Sequence, residues 1–188
     1  MMIDTIVSDL SHRFSITLIH LPSLRSLAIA ALLLGFYALI ALPLGFYSQF
    51  LSRTLVRNKK IQLQVMIQAI ATPALSEEVV FRVLLLPNPQ NSPTLSQWLL
   101  WGSISLILFI LYHPINGLLF FPPGRKVFQH PIFLTLAALL GVICTLSYAY
   151  SGCLWIPALI HWVIVVIWLL KLGGYEKLSV VAPEVSSL

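Results

Sequence analysis

Five long apolar stretches, at 26–50, 61–86, 95–112, 132–150 and 154–170, leave this chain of 188 residues few ways to fold. A helix that crosses a bilayer needs about 20 mostly apolar residues, and each stretch reaches or nearly reaches that length. Charged residues make up only 9% of the chain, against about 25% in soluble domains, and the mean hydropathy is +0.93. These features predict an all-α integral membrane protein: one bundle of about five transmembrane helices, with no room for a separate soluble domain.

The net charge of +5 raises the question of nucleic acid, but the cations are distributed differently. Arg53, Arg57, Lys59 and Lys60 fill one connection, Arg125 and Lys126 another, and Lys171 and Lys177 follow the last stretch. The connections at 87–94 and 151–153 carry no charge. Alternation of this kind is the positive-inside pattern and places the basic connections and the C-terminal segment in the cytoplasm. The lipid bilayer is therefore the expected partner, and nucleic acid is not. Three parts follow: an N-terminal segment 1–25, a bundle 26–171 and a cytoplasmic tail 172–188. Residues 1–20 are interrupted by Asp4 and Asp9 and lack the long apolar core of a cleavable signal. Ile3, Ile6, Val7, Leu10 and Phe14 fall at helical spacing, which predicts an amphipathic helix in the membrane interface. Cys144 and Cys153 are too few for a disulfide framework and are read as apolar packing residues.

Glu77 and Glu78 are the only acids between Asp9 and Glu176, and Arg82 follows them in the same apolar stretch. Ionised groups at bilayer depth cost about 2.5–3.5 kcal/mol or more each, so they persist there when paired or functional. Glu78 and Arg82 are four residues apart and share a helix face. Glu77 points about 100° away, since a helix turns once per 3.6 residues. Arg82 thus holds Glu78 and leaves Glu77 to face something else. Pro73, four residues earlier, frees a backbone carbonyl that neighbouring groups must satisfy. The half before it carries Gln62, Gln64 and Gln68, as a partly interfacial segment would.

Two histidines, His113 and His161, lie at the end of the third stretch and inside the fifth. Three spans carrying Glu, His and His, with little else titratable, suit several chemistries. The glutamate can act as general base on a water while the imidazoles donate to an oxyanion. One glutamate and both histidines can instead hold zinc, although no His-Glu-x-x-His motif supports that. A buried salt bridge that only locks helices together is the structural alternative. A proton-relaying transporter is disfavoured by the short chain and the absence of repeats.

In order, Glu77-Glu78-x-x-x-Arg82, Phe109-x-x-x-His113 and a third motif opening at His161 resemble the CAAX protease and bacteriocin-processing family of intramembrane glutamic endopeptidases. The resemblance covers roughly 61–170. It implies a helical bundle around a cavity, needing no cofactor or metal, that cleaves a peptide or protein in or at the membrane. Carried over by position, Glu77 is the base that activates water. Glu78 and Arg82 are its assisting pair, and His113 and His161 position the water and stabilise the oxyanion.

One position departs from the family pattern. The fourth residue after His161 is Val165, where an Asn or Asp is usual. Removing one oxyanion donor costs about 10²–10³ in rate, so a catalytically silent scaffold is the alternative. Asn116, three residues after His113, is a candidate substitute. Depth raises a second tension. At ~1.5 Å per residue, Glu77 lies ~24 Å from Ile61, and His113 lies ~24 Å from Gln97 on a strand of chain running the other way. The two side chains then sit toward opposite surfaces unless the helices tilt, the third begins later or the Pro73 break closes the gap. The small size suits a bacterial cytoplasmic or an organellar membrane.

Overall fold

The computed structural model describes residues 13–179, all of whose regular structure is helical apart from a single bridge between Thr54 and Leu172. Much of the expected N-terminal amphipathic helix, 1–12, lies outside the described residues. Its remainder is α1 (13–19), which packs on the bundle. The Thr17 carbonyl accepts the Leu154 N–H at 3.3 Å, and Trp155 Nε1 donates to the Leu18 carbonyl at 2.9 Å.

α2 (Leu24–Tyr47) opens on Ser23, whose hydroxyl accepts the Ser26 N–H at 3.1 Å. Its Leu24, Leu32 and Leu39 remain exposed, as residues facing lipid do. α3 (Lys59–Ala69) starts where the Asn58 side chain accepts two of the orphan N–H groups that every helix start leaves. The segment then changes register. A π segment (Ile70–Leu75) leads into one α turn, α4 (Ser76–Glu78), and a second π segment (Val79–Leu84). Thr72 breaks the first π segment with extended dihedrals, φ −139° and ψ 117°. This is the conformation a following proline imposes by clashing with an α-helical predecessor. The expected second span is therefore a composite, with its break beside the carboxylates.

α5 (Leu95–Leu119) begins with a capping box of Thr94 and Gln97 and continues past Tyr112, where the apolar stretch was expected to end. The one-turn α6 (Arg125–Phe128) precedes α7 (Pro131–Ser151), whose end is set by Gly152 at φ +64°. His130, given no role by the sequence, caps α7 through an Ile132 N–H to Nδ1 bond. α8 (Trp155–Lys171) is followed by Gly173 at φ +82° and the short α9 (Gly174–Ser179). α2, α5 and α7 are long and apolar enough to cross a membrane by themselves; α8, at 17 residues, is shorter. With the composite 59–84 segment they account for the five apolar stretches.

α7 is central: it packs against α2, α5 and α8. Between α2, α7 and α8, Ala30, Ile143, Cys144, Cys153, Ile156 and Ile160 form one buried cluster. Both cysteines are free there, in the packing role expected of them. Lipid tails are as apolar as these side chains, so close van der Waals fit rather than hydrophobic transfer holds the helices together. Gly141 shows the point: a Cβ there would stand 2.7 Å from Leu106 Cδ1. Beyond the carboxylates in the chain, Val83 and Leu86 pack with Tyr148, Leu154 and Leu18 of α1.

Candidate active site

Glu77, Glu78, Arg82, His113 and His161, named from sequence, are brought together and are all buried. The α4 turn carries both carboxylates, and the π segment after it carries Arg82. Arg82 Nε lies 3.1 Å from Glu78 Oε2. Arg82 Nη2 donates to the Gly141 carbonyl of α7 at 3.0 Å, and the guanidinium carbon sits 4.6 Å from the centre of the Phe109 ring. The expected Glu78–Arg82 pair is present, and it is anchored by a backbone carbonyl that nothing in the sequence signals.

His161 joins the two acids. Its Nδ1 is 2.7 Å from Glu78 Oε1, and its Nε2 is 3.8 Å from Glu77 Oε2. A carboxylate accepts, so Nδ1 of His161 carries a proton, and Nε2 is the atom turned to Glu77. His113 is oriented in the same way: Nδ1 donates to the Phe109 carbonyl at 2.8 Å and leaves Nε2 for the cavity. The Phe109 ring stands edge-on to both imidazoles, with centroids 4.9 Å from His113 and 6.1 Å from His161. Glu77 Oε2 has no hydrogen-bond partner among the described residues.

The apparent conflict of depth between Glu77 and His113 disappears in the structure. Ser105 Oγ donates to the Phe81 carbonyl at 2.5 Å, and Phe81 packs edge-on against Phe109 at 5.2 Å. α5 is thus level with the π segment at 105–109, not at its first residues, and His113 comes down to the height of Glu77.

Glu77, His113 and His161 line a single cavity of about 550 Å³. Its wall is mostly apolar and aromatic, including Tyr37 and Ala41 of α2 and Phe133 and Trp168 of α7 and α8, none of which carried a functional signal in the sequence. Besides Glu77, His113 and His161, the side chains on the wall that carry polar atoms are Tyr37, Gln68, Thr72, Tyr112, Asn116 and the Trp168 indole. Val165 also lines it, so the position that departs from the family pattern does face the site, with methyl groups. The cavity extends to Phe50, Leu51, Phe121, Leu172 and Leu178, beside the cations Arg53, Arg125, Lys126, Lys171 and Lys177 in the chain. Among the described residues no group of three His, Cys, Asp or Glu side chains is arranged to hold a metal ion. His12 lies outside the described residues.

A buried glutamate pair braced by arginine and histidine thus lies inside a helical membrane bundle. The family model of type II CAAX prenyl endopeptidases, Rce1-like, matches residues 59–167, more than half of the chain, and the chain belongs to that family. No curated protein and no solved structure matches it.

Proposed function

We propose that this protein is a glutamic endopeptidase that hydrolyses a peptide bond of a membrane-associated protein or peptide, with Glu77 as the general base. The observation that carries this reading is the asymmetry of the two acids. Glu78 is held on both sides, its Oε1 hydrogen-bonded to His161 and its Oε2 ion-paired with Arg82 at 3.1 Å, and it does not line the cavity, whereas Glu77 lines the cavity and its nearest cationic partner, His161 Nε2, is 3.8 Å away. Glu77 takes a proton from a water held between it and the imidazoles, and the resulting hydroxide attacks the scissile carbonyl carbon. His113 Nε2 accepts from that water. His161 turns Nε2 toward Glu77 and donates to the oxyanion when that atom carries a proton. Collapse breaks the C–N bond as the proton held by Glu77 passes to the leaving amine. No metal takes part in these steps. The basic end of the cavity faces the cytoplasm, and the family's name makes a prenylated CAAX-type peptide the first substrate to try.

The test is turnover of a farnesylated CAAX-type peptide carrying a quenched fluorophore, by full-length protein in lipid nanodiscs. Glu77→Gln should lower kcat by about 10²–10⁴, the usual contribution of a general base. Undiminished turnover by the folded variant would sink the assignment. Val165 on the cavity wall favours a second reading, a catalytically silent membrane scaffold. In that case wild type does not cleave the peptide, and Glu77→Gln leaves the cellular phenotype unchanged.

A further inference from the structure

The cavity wall contributed by α3 and the π segment after it is made of Val65, Gln68, Ala69, Thr72, Pro73 and Glu77. The polar members are Gln68, Thr72 and Glu77. In a continuous α-helix the residue stacked on Thr72 would be Ser76, and Glu77 would be turned roughly 100° away. Here the Ser76 N–H reaches back to the Ala71 carbonyl, an i→i+5 bond. A turn one residue longer brings Glu77 onto the face that carries Gln68 and Thr72.

Both Gln68 and Thr72 are exposed on this wall, and neither side chain hydrogen-bonds to another described residue. An interfacial location explains glutamines at the start of α3, and there Gln62 is tied to the Val56 carbonyl at 2.6 Å. It does not explain Gln68 and Thr72, which are turned into the same cavity as Glu77. We propose that Gln68 and Thr72 form a subsite that binds the main chain of an extended peptide segment on its way to Glu77, an inference that rests on the hydrolytic reading above.

The chemistry of the ligand follows from its surroundings. A peptide drawn into an apolar cavity loses water from every N–H and C=O, and each must find a partner there. A glutamine amide offers both a donor and an acceptor, as does a threonine hydroxyl, which is what a main chain needs. Residues four apart on a helix are about 6 Å apart along its axis, and alternate residues of an extended strand are about 6.6 Å apart. Gln68 and Thr72 lie one after the other along this wall, so an extended chain running beside it meets both. Tyr112 and Asn116 stand on the α5 wall of the same cavity and supply further polar groups there.

The experiment measures binding without turnover. Full-length Glu77→Gln protein in nanodiscs is titrated with the farnesylated, fluorophore-labelled CAAX-type peptide, and Kd is read by anisotropy. Adding Gln68→Leu or Thr72→Val should weaken binding about two- to tenfold each, the worth of a hydrogen bond. Peptides N-methylated one residue at a time should lose affinity at alternate positions, and one of those losses should vanish in the Gln68→Leu protein. Because only the ligand changes in that series, a misfolded variant cannot mimic the result. Unchanged Kd values, an N-methyl pattern identical with and without Gln68, or no saturable binding would each overturn the subsite. Cleavage by Glu77→Gln protein would instead overturn the base assignment and leave the affinity pattern standing.

Discussion

At the scale of single residues, Arg82 bears the heaviest burden. It is buried, pairs with Glu78, donates to the Gly141 carbonyl and lies over Phe109. Removing one partner of a buried ion pair leaves an uncompensated charge and costs about 3–5 kcal/mol. Arg82→Ala should therefore lower the thermal midpoint in detergent by many degrees, whereas Glu77→Gln, at a group without a hydrogen-bond partner on Oε2, should leave it nearly unchanged while abolishing turnover. A Glu77→Gln protein as unstable as Arg82→Ala would show that both acids serve packing. The charged members of this site were legible in the sequence because an ionised residue in an apolar stretch has few bland explanations. Gly141 was not. It acts through a backbone carbonyl, and every residue has one.

Among the elements, α7 and the composite 59–84 segment determine the site, one by closeness and the other by register. α7 reaches Arg82 because position 141 has no side chain; an added Cβ would meet Leu106 at 2.7 Å and Phe109 at 3.2 Å. Gly141→Ala should cost about 1–3 kcal/mol, as overpacking does, and should lower kcat as the Arg82 anchor shifts. Because the nearest atom is the end of a leucine side chain, Leu106→Ala in the same protein should restore much of both. If the double variant gains stability but no turnover, the carbonyl rather than the space is what matters. The helical character of all five stretches could be read from hydropathy. The π register at Ile70–Leu75 could not, because it depends on the Thr72–Pro73 break being tolerated by neighbouring helices. The same dependence on neighbours hid the relative height of α5, which is fixed by the contact of Ser105 and Phe109 with Phe81.

For the whole molecule, the distribution of cations predicts the orientation. With both native cysteines buried, Arg57→Cys and Asn91→Cys, each exposed, give clean labelling sites at opposite ends. A membrane-impermeant maleimide should reach position 57 from the cytoplasmic side only and position 91 from the other side only; the reverse pattern would invert the topology. Chelators should leave turnover unchanged, and elemental analysis should find well below one zinc per chain, since the proposed steps need none. Stoichiometric zinc lost together with activity would make this a metalloprotease.

The packing of Leu18 with Val83, Leu86, Tyr148 and Leu154 has a consequence for traffic. None of these packed residues belongs to the cavity wall, which among the described residues runs toward the basic segments instead. On the hydrolytic reading, a chain end or a short hairpin enters from the basic side, and both fragments leave the same way. Turnover would then be paced by how fast the shorn piece backs out.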